Sequence, residues 1–211
     1  MTEITQHIPD EIIAAYAAGN LSAPFSTVVA AHVSLCDECR ARLGAHEAAG
    51  GAVMDDLAPT ELSGTLKDDL FARLDDPIKE APVYHRSGVF PGPVMEALKG
   101  QPPKWRSIGL GCRQSILSAG DEGSVRLIYI PPGQAMPDHG HNGLEMTLVL
   151  QGSFSDEGGT YSAGDVEIAD ESDEHTPIAG PDCACICLAA TDAPLKFRGF
   201  VPRMLQPLFR I

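Results

Sequence analysis

The stretch GQAMPDHGHNGLEMTLVLQG, residues 133–152, decides the fold of the second half of this 211-residue chain. His139 and His141 are two positions apart, and on an extended strand such residues project from the same face, so both imidazoles address one point. Glu145 returns from the following strand segment. Gly133 and Gly152 bracket the set, giving the spacing G-x5-H-x-H-x3-E-x6-G. Downstream, His175 is a further imidazole. Three histidines and a glutamate are a donor set for iron, manganese, nickel or zinc. A six-coordinate metal would keep two positions open for dioxygen or substrate, whereas tetrahedral zinc would keep none.

Around this stretch the chain reads as short strands divided by turns. Residues 113–117, 125–130, 144–150, 166–168 and 184–189 each carry β-branched or apolar runs bounded by Gly, Asp or Pro. Many short strands at regular spacing predict an all-β sandwich or small barrel. The preceding segment, DDPIKEAPVYHRSGVFPGPVMEALKGQPPKW, is dense in proline and glycine and reads as a linker or docking arm, not a core element.

The first 75 or so residues read as helices. Ile8, Ile12, Ala15 and Tyr16 recur at helical spacing behind Pro9, Asp10 and Glu11, and Gly19-Asn20 supplies a stop. Ser22 is placed to cap a second helix carrying Phe25, Val28, Val29, His32 and Val33. A third begins at Cys36 to Cys39 and is expected to fade at Gly50-Gly51. Leu62, Leu66, Leu70 and Leu74, with Phe71 beside them, mark a fourth. The division that follows is 1–85 helical, 86–104 linker or arm, 105–195 β, and 196–211 a C-terminal extension.

Within the helical part the segment HVSLCDEC has the spacing H-x3-C-x2-C. A tight helical corner can aim His32, Cys36 and Cys39 at one point, and the helix N-terminus favours the thiolates that bind metal. Three ligands leave tetrahedral zinc one short. His7, just before the first helix, is the nearest unused donor, and His46 is the alternative. Two nitrogens and two sulfurs would close the site and make it structural. A thioredoxin-like redox pair requires a βαβ setting that is absent, and haem attachment requires the histidine after the second cysteine. Two unconnected buried cysteines are the remaining reading.

Two family resemblances rest on these residues. Gly133, His139, His141, Glu145 and Gly152 match the first cupin motif at every specified position. The second motif is kept at Gly164 and His175, while Asp170, Ser172 and Ala179 replace its proline, glycine and asparagine. His7 with H-x3-C-x2-C in a helical domain resembles the zinc-binding anti-sigma factors. Together the halves resemble the ChrR-type anti-sigma factors over nearly the whole chain. That resemblance implies two domains, an N-terminal all-α zinc domain of about four helices and a C-terminal all-β cupin, or double-stranded β-helix. It implies zinc at His7, His32, Cys36 and Cys39. The cupin metal, at His139, His141, Glu145 and His175, is expected to be zinc ahead of iron, manganese or nickel. The implied partner is a group IV (extracytoplasmic-function) sigma factor, bound one to one and released in response to singlet oxygen, with no catalysis. The alternative is a metal-dependent cupin enzyme, a dioxygenase or isomerase, with a zinc-bound helical appendage.

The remaining features bound these readings. A net charge of −14 argues against direct binding of nucleic acid or an anionic membrane. With no transmembrane run and no signal-like start, a cytoplasmic location is expected, where thiols stay reduced. Asp55, Asp56, Asp68, Asp69, Asp75 and Asp76 surround the leucine stripe as steering charges or a solvated face. Cys183, Cys185 and Cys187 would share one strand face, with core packing favoured over redox sensing. The stretch LKFRGFVPRMLQPLFRI is basic and apolar and would cover the barrel or meet a partner.

Overall fold

The computed structural model describes residues 3–74, 76–77, 80–194 and 196–197. Asp75 and nearly all of the basic C-terminal stretch lie outside the described residues. Five helices are described: α1 (Asp10–Ala17), α2 (Ala23–Val33), α3 (Asp37–Asp55), α4 (Leu66–Ala72) and α5 (Gly92–Ala97). Twelve strands follow. They are β1 (Arg106–Gly109), β2 (Cys112–Gly120), β3 (Gly123–Ile130), β4 (His139–Gly140), β5 (Glu145–Gln151) and β6 (Ser153–Ser155), then β7 (Thr160–Ser162), β8 (Val166–Ala169), β9 (Glu174–His175), β10 (Ile178–Ala179), β11 (Cys185–Thr191) and β12 (Lys196–Phe197).

Local chemistry sets the helix ends. α1 closes on Gly19 at φ +70°, with Gly19 N–H donating to Tyr16 O and Asn20 N–H to Ala15 O. That is the left-handed cap glycine makes most easily. Ser22 does occupy the N-cap of α2, but its buried hydroxyl makes no hydrogen bond. A capping oxygen accepts from the second or third helical amide, and the second is Pro24, which has none. α3 runs straight through Gly50 and Gly51 to Asp55 instead of fading there. The alanines at 48, 49 and 52 are strong helix formers and hold the exposed last turns together. α4 is only seven residues long, so Leu62 and Leu74 flank it.

A six-stranded antiparallel sheet, ordered β1-β2-β3-β11-β5-β8, organises the rest. Each of the five strand segments expected from the sequence lies in it. Alternation divides its side chains between two faces. Val125, Leu127, Met146, Leu148, Leu188 and Ala190 point to the helices and share one buried cluster with Phe25, Val28 and Val29 of α2. Cys112, Ile130, Val149, Cys185 and Cys187 point the other way, against Phe154 and Ala179 of the small sheet β10-β6-β7. A third small sheet, β12-β4-β9, pairs His139 with His175. This is the cupin-like β architecture. Val94 of α5 is fully buried in the helix-facing cluster, so part of the proline-rich stretch serves as core. Pro91 and Pro93 sit where a helix start accommodates proline, and the short turn of helix they begin can pack.

Leu188 lies at the centre of β11 with no exposed surface. Truncating such a leucine removes transfer energy and leaves a cavity, so Leu188→Ala is expected to destabilise the chain by about 2–5 kcal/mol in urea denaturation followed by circular dichroism.

Candidate metal centres

The helical corner collects the first cluster. His32 ends α2, a turn follows, and Cys36 becomes the N-cap of α3, its sulfur accepting from the Cys39 amide at 3.4 Å. His7 comes in from the segment ahead of α1, its Nδ1 lying 3.3 Å from Cys36 Sγ and 3.7 Å from Cys39 Sγ. One donor atom from each of His7, His32, Cys36 and Cys39 lies within 4.8 Å of all the others. His46 is not in this set; its Nε2 sits 3.8 Å from Asp10 Oδ1.

The polar atoms left over test whether a metal fits. His32 is completely buried, and its Nδ1 is 3.0 Å from the Gly164 carbonyl, which makes Nδ1 the donor and leaves Nε2 with a lone pair. That Nε2 is buried without a hydrogen-bond partner. Burial lowers the His32 pKa to about 4, keeping the ring neutral, as a metal ligand must be. The same burial raises Cys39, so its thiolate needs a cation. Arg42 supplies one at 3.8 Å while its Nε holds Asp10 at 2.8 Å. Across the cluster, Glu38 Oε2 sits 3.3 Å from His7 Nε2, fixing that ring from behind. A neutral imidazole with an orphaned nitrogen, a second imidazole and two sulfurs fit a tetrahedral soft-metal site.

The second cluster lies inside the β half. His139 opens β4 and His141 follows its end, and His175 ends β9 opposite His139. His175 Nε2 is 3.1 Å from His139 Nε2 and 3.3 Å from His141 Nε2, so three buried rings meet through the same nitrogen. Glu145 sits beside them, its Oε2 3.5 Å from His141 Nδ1 and its Oε1 accepting from Thr147. Burial lowers both His139 and His141. Two rings kept neutral by burial, with the His175 nitrogen converging on them, fit a divalent ion whose binding would displace the His175 proton, with Glu145 alongside.

The back of His175 holds what the sequence reading missed. Its Nδ1 is 2.7 Å from Asp156 Oδ2 and 3.1 Å from Glu167 Oε1, forming a further buried group of donors. Burial works against a charge on His175, but the Glu167 and Asp156 contacts outweigh it and push the pKa up to about 9. Burial pushes Glu167 up to about 8. A carboxylate behind a ligand histidine orients the ring and raises its basicity. Glu167 had a legible signal, an acid at an inward position of the apolar strand VEIA; Asp156, in the turn DEGG, had none. The cysteines divide: Cys183 is exposed, whereas Cys185 and Cys187 are buried with sulfurs 3.4 Å apart.

Known proteins resemble this chain over nearly its whole length. A family model described as the ChrR cupin-like domain matches residues 97–194. The anti-sigma-E factor ChrR of Cereibacter sphaeroides is 51% identical over 211 residues, covering 99% of each chain. The chain belongs to the ChrR family of anti-sigma factors. A crystal structure of Rhodobacter sphaeroides SigE in complex with the anti-sigma factor ChrR aligns with a TM-score of 0.81 and 50% identity, covering 90% of this chain and 100% of that one. Membership points to a regulator, although cupin folds often serve enzymes. No described helix of this ChrR family member is long and apolar enough to cross a membrane.

If Glu167 and Asp156 support the ligand His175, Glu167→Gln and Asp156→Asn should each weaken metal retention in the β half about 10–100-fold, measured by competition with a chromogenic chelator. The metal content of the cysteine site should stay unchanged.

Proposed function

We propose that this chain is an anti-sigma factor that binds a group IV (extracytoplasmic-function) sigma factor one to one and keeps it from transcription until singlet oxygen or a related photo-oxidative stress releases it. The helical unit, residues 1–85, does the binding, residues 86–104 connect, and the cupin unit, residues 105–195, senses. Such a protein works in the cytoplasm, where transcription occurs, and carries out no catalysis. Zinc occupies the His7, His32, Cys36 and Cys39 site. The cupin site takes zinc ahead of iron, manganese or nickel. Zinc in the first site supplies a structural cross-link between α2, α3 and the segment before α1.

One observation carries this reading. Val53, Met54, Leu57, Leu62, Leu66, Leu70, Phe71 and Leu74 are all exposed, with Leu62 at 74% and Leu70 at 60%. The leucine stripe is therefore not spent on the chain's own core. A soluble chain that leaves such a run of apolar side chains in water presents a docking surface. Asp55, Asp56, Asp68 and Asp69 are exposed along the same run, suiting a partner whose apolar contact is rimmed by basic residues. An amphipathic segment laid into a groove is a recurrent way to hold such a partner. The relative solved with SigE supports the choice of partner class.

Titration calorimetry with a group IV sigma factor from the same genome tests the reading. The unaltered chain is expected to bind at one to one. Leu66→Glu combined with Leu70→Glu should weaken binding at least about 100-fold, since each buried leucine contributes about 1.5–3 kcal/mol. Cys36→Ala should abolish both zinc retention and binding. Full affinity in all these variants, or none in the unaltered chain, would overturn the proposal.

A further inference from the structure

The two clusters are not separate in the fold, because one turn touches both. We propose that the turn at residues 162–167 is a shared strut that positions the ligands of both metal sites, so that filling one site tightens the other. This rests on the metal reading above and assigns the coupling to named atoms.

On the helical side, the Gly164 carbonyl lies 3.0 Å from His32 Nδ1 and fixes which ring nitrogen faces the cysteines. Asp165, only 2% exposed, accepts through Oδ1 from the amides of Thr5 at 2.7 Å and Gln6 at 2.9 Å, the two residues that lead directly into His7. Val166 N–H donates to Gln6 O at 3.1 Å, closing the pairing. Thus both histidines of the first cluster are held from the β half. On the cupin side, the next residue is Glu167, whose Oε1 sits 3.1 Å from His175 Nδ1. A single residue, Val166, separates Asp165 from Glu167, and β8 pairing with β5 keeps Glu167 in register.

The strut is stiff. Asp165 Oδ2 accepts from Ser162 N at 2.8 Å, Asp165 N–H donates to Ser162 O at 2.8 Å, and Gly164 N–H donates to Val149 O at 2.8 Å. Gly164 has φ +103°, and a Cβ there would lie 2.6 Å from Ile4 Cγ1, so the turn and the N-terminal segment are in close contact. A turn tied at this many points moves as one body. A shift of His175 when its ion is lost therefore reaches Glu167, the turn, and both His7 and His32. Coupling of this kind is reciprocal. Asp165 and Gly164 are positioning residues: neither offers an atom to either ion.

The full chain loaded with Co2+ provides the test, because a thiolate-to-cobalt charge-transfer band reports the cysteine site alone. Its decay is followed after adding a chelator. Asp165→Ala should speed the decay about 10–100-fold, and His141→Ala, which removes a ligand of the other site, should speed it at least about fivefold if coupling reaches 1 kcal/mol. In the double variant the further effect of His141→Ala should shrink well below fivefold, because the Asp165 branch to Thr5 and Gln6 is cut and only the Gly164 contact with His32 still carries the coupling. Multiplying rates, or a decay in Asp165→Ala within twofold of the unaltered chain, overturns the strut. Should Asp165→Ala fail to fold by circular dichroism, hydrogen exchange decides without it. The Thr5 and Gln6 amides should lose at least fivefold in protection in His141→Ala, and unchanged protection overturns the proposal. An unaltered chain with no charge-transfer band would instead overturn the metal reading beneath it.

Discussion

The structure depends on how one buried imidazole is satisfied. His32 has no exposed surface, and each of its ring nitrogens needs a partner at that depth. The Gly164 carbonyl takes one, and the other is aimed at His7, Cys36 and Cys39 with no hydrogen bond of its own. An unmet nitrogen inside a protein costs about 1–3 kcal/mol. An ion held there would turn that cost into a bond, and the bond would gather the segment before α1, the end of α2 and the start of α3. Ile8, Ile13, Phe25, Val28 and Val29 of this region are otherwise buried in the cluster they share with the sheet.

The sheet carries the same logic to the other half. Because side chains alternate, one six-stranded sheet serves as a floor for α2 on one face and as a wall of the cupin interior on the other. Leu148 and Leu188 face the helices, while Val149 and Cys187, one position on or back, face the interior. The turn before β8 touches the helical cluster through Gly164 and Asp165, and Glu167 of β8 touches His175. The exposed apolar run lies apart from this framework, on the end of α3 and on α4.

Much of this was legible in the residues. Periodicity found every strand of four or more residues except β1, whose RSIG is too polar to stand out. It could not find β4, β6, β7, β9, β10 or β12, since two or three residues carry no alternation. Spacing pointed to His32, Cys36 and Cys39 and to His139 and His141, because ligand geometry constrains sequence separation directly, whereas His7 was only the nearest unused donor beside His46 and His175 came with the partly kept second motif. Asp165 and Asp156 were missed because no spacing rule ties them to their partners: Asp165 binds Thr5 and Gln6, about 160 positions earlier, and Asp156 meets His175 across a change of strand. Glu167, close to His175 in sequence, was legible only as an acid within an apolar strand. Gly50-Gly51 misled because glycine only weakens a helix, and the alanines beside it decide the outcome.

The central claim is that His7, His32, Cys36 and Cys39 share an ion. Diffraction from crystals of the full chain, with data collected on both sides of the zinc absorption edge, tests it most directly. The account predicts an anomalous peak about 2.0–2.1 Å from His7 Nδ1 and His32 Nε2 and about 2.3 Å from both sulfurs. A Cys36–Cys39 disulfide, or no peak with the four side chains turned apart, would contradict it.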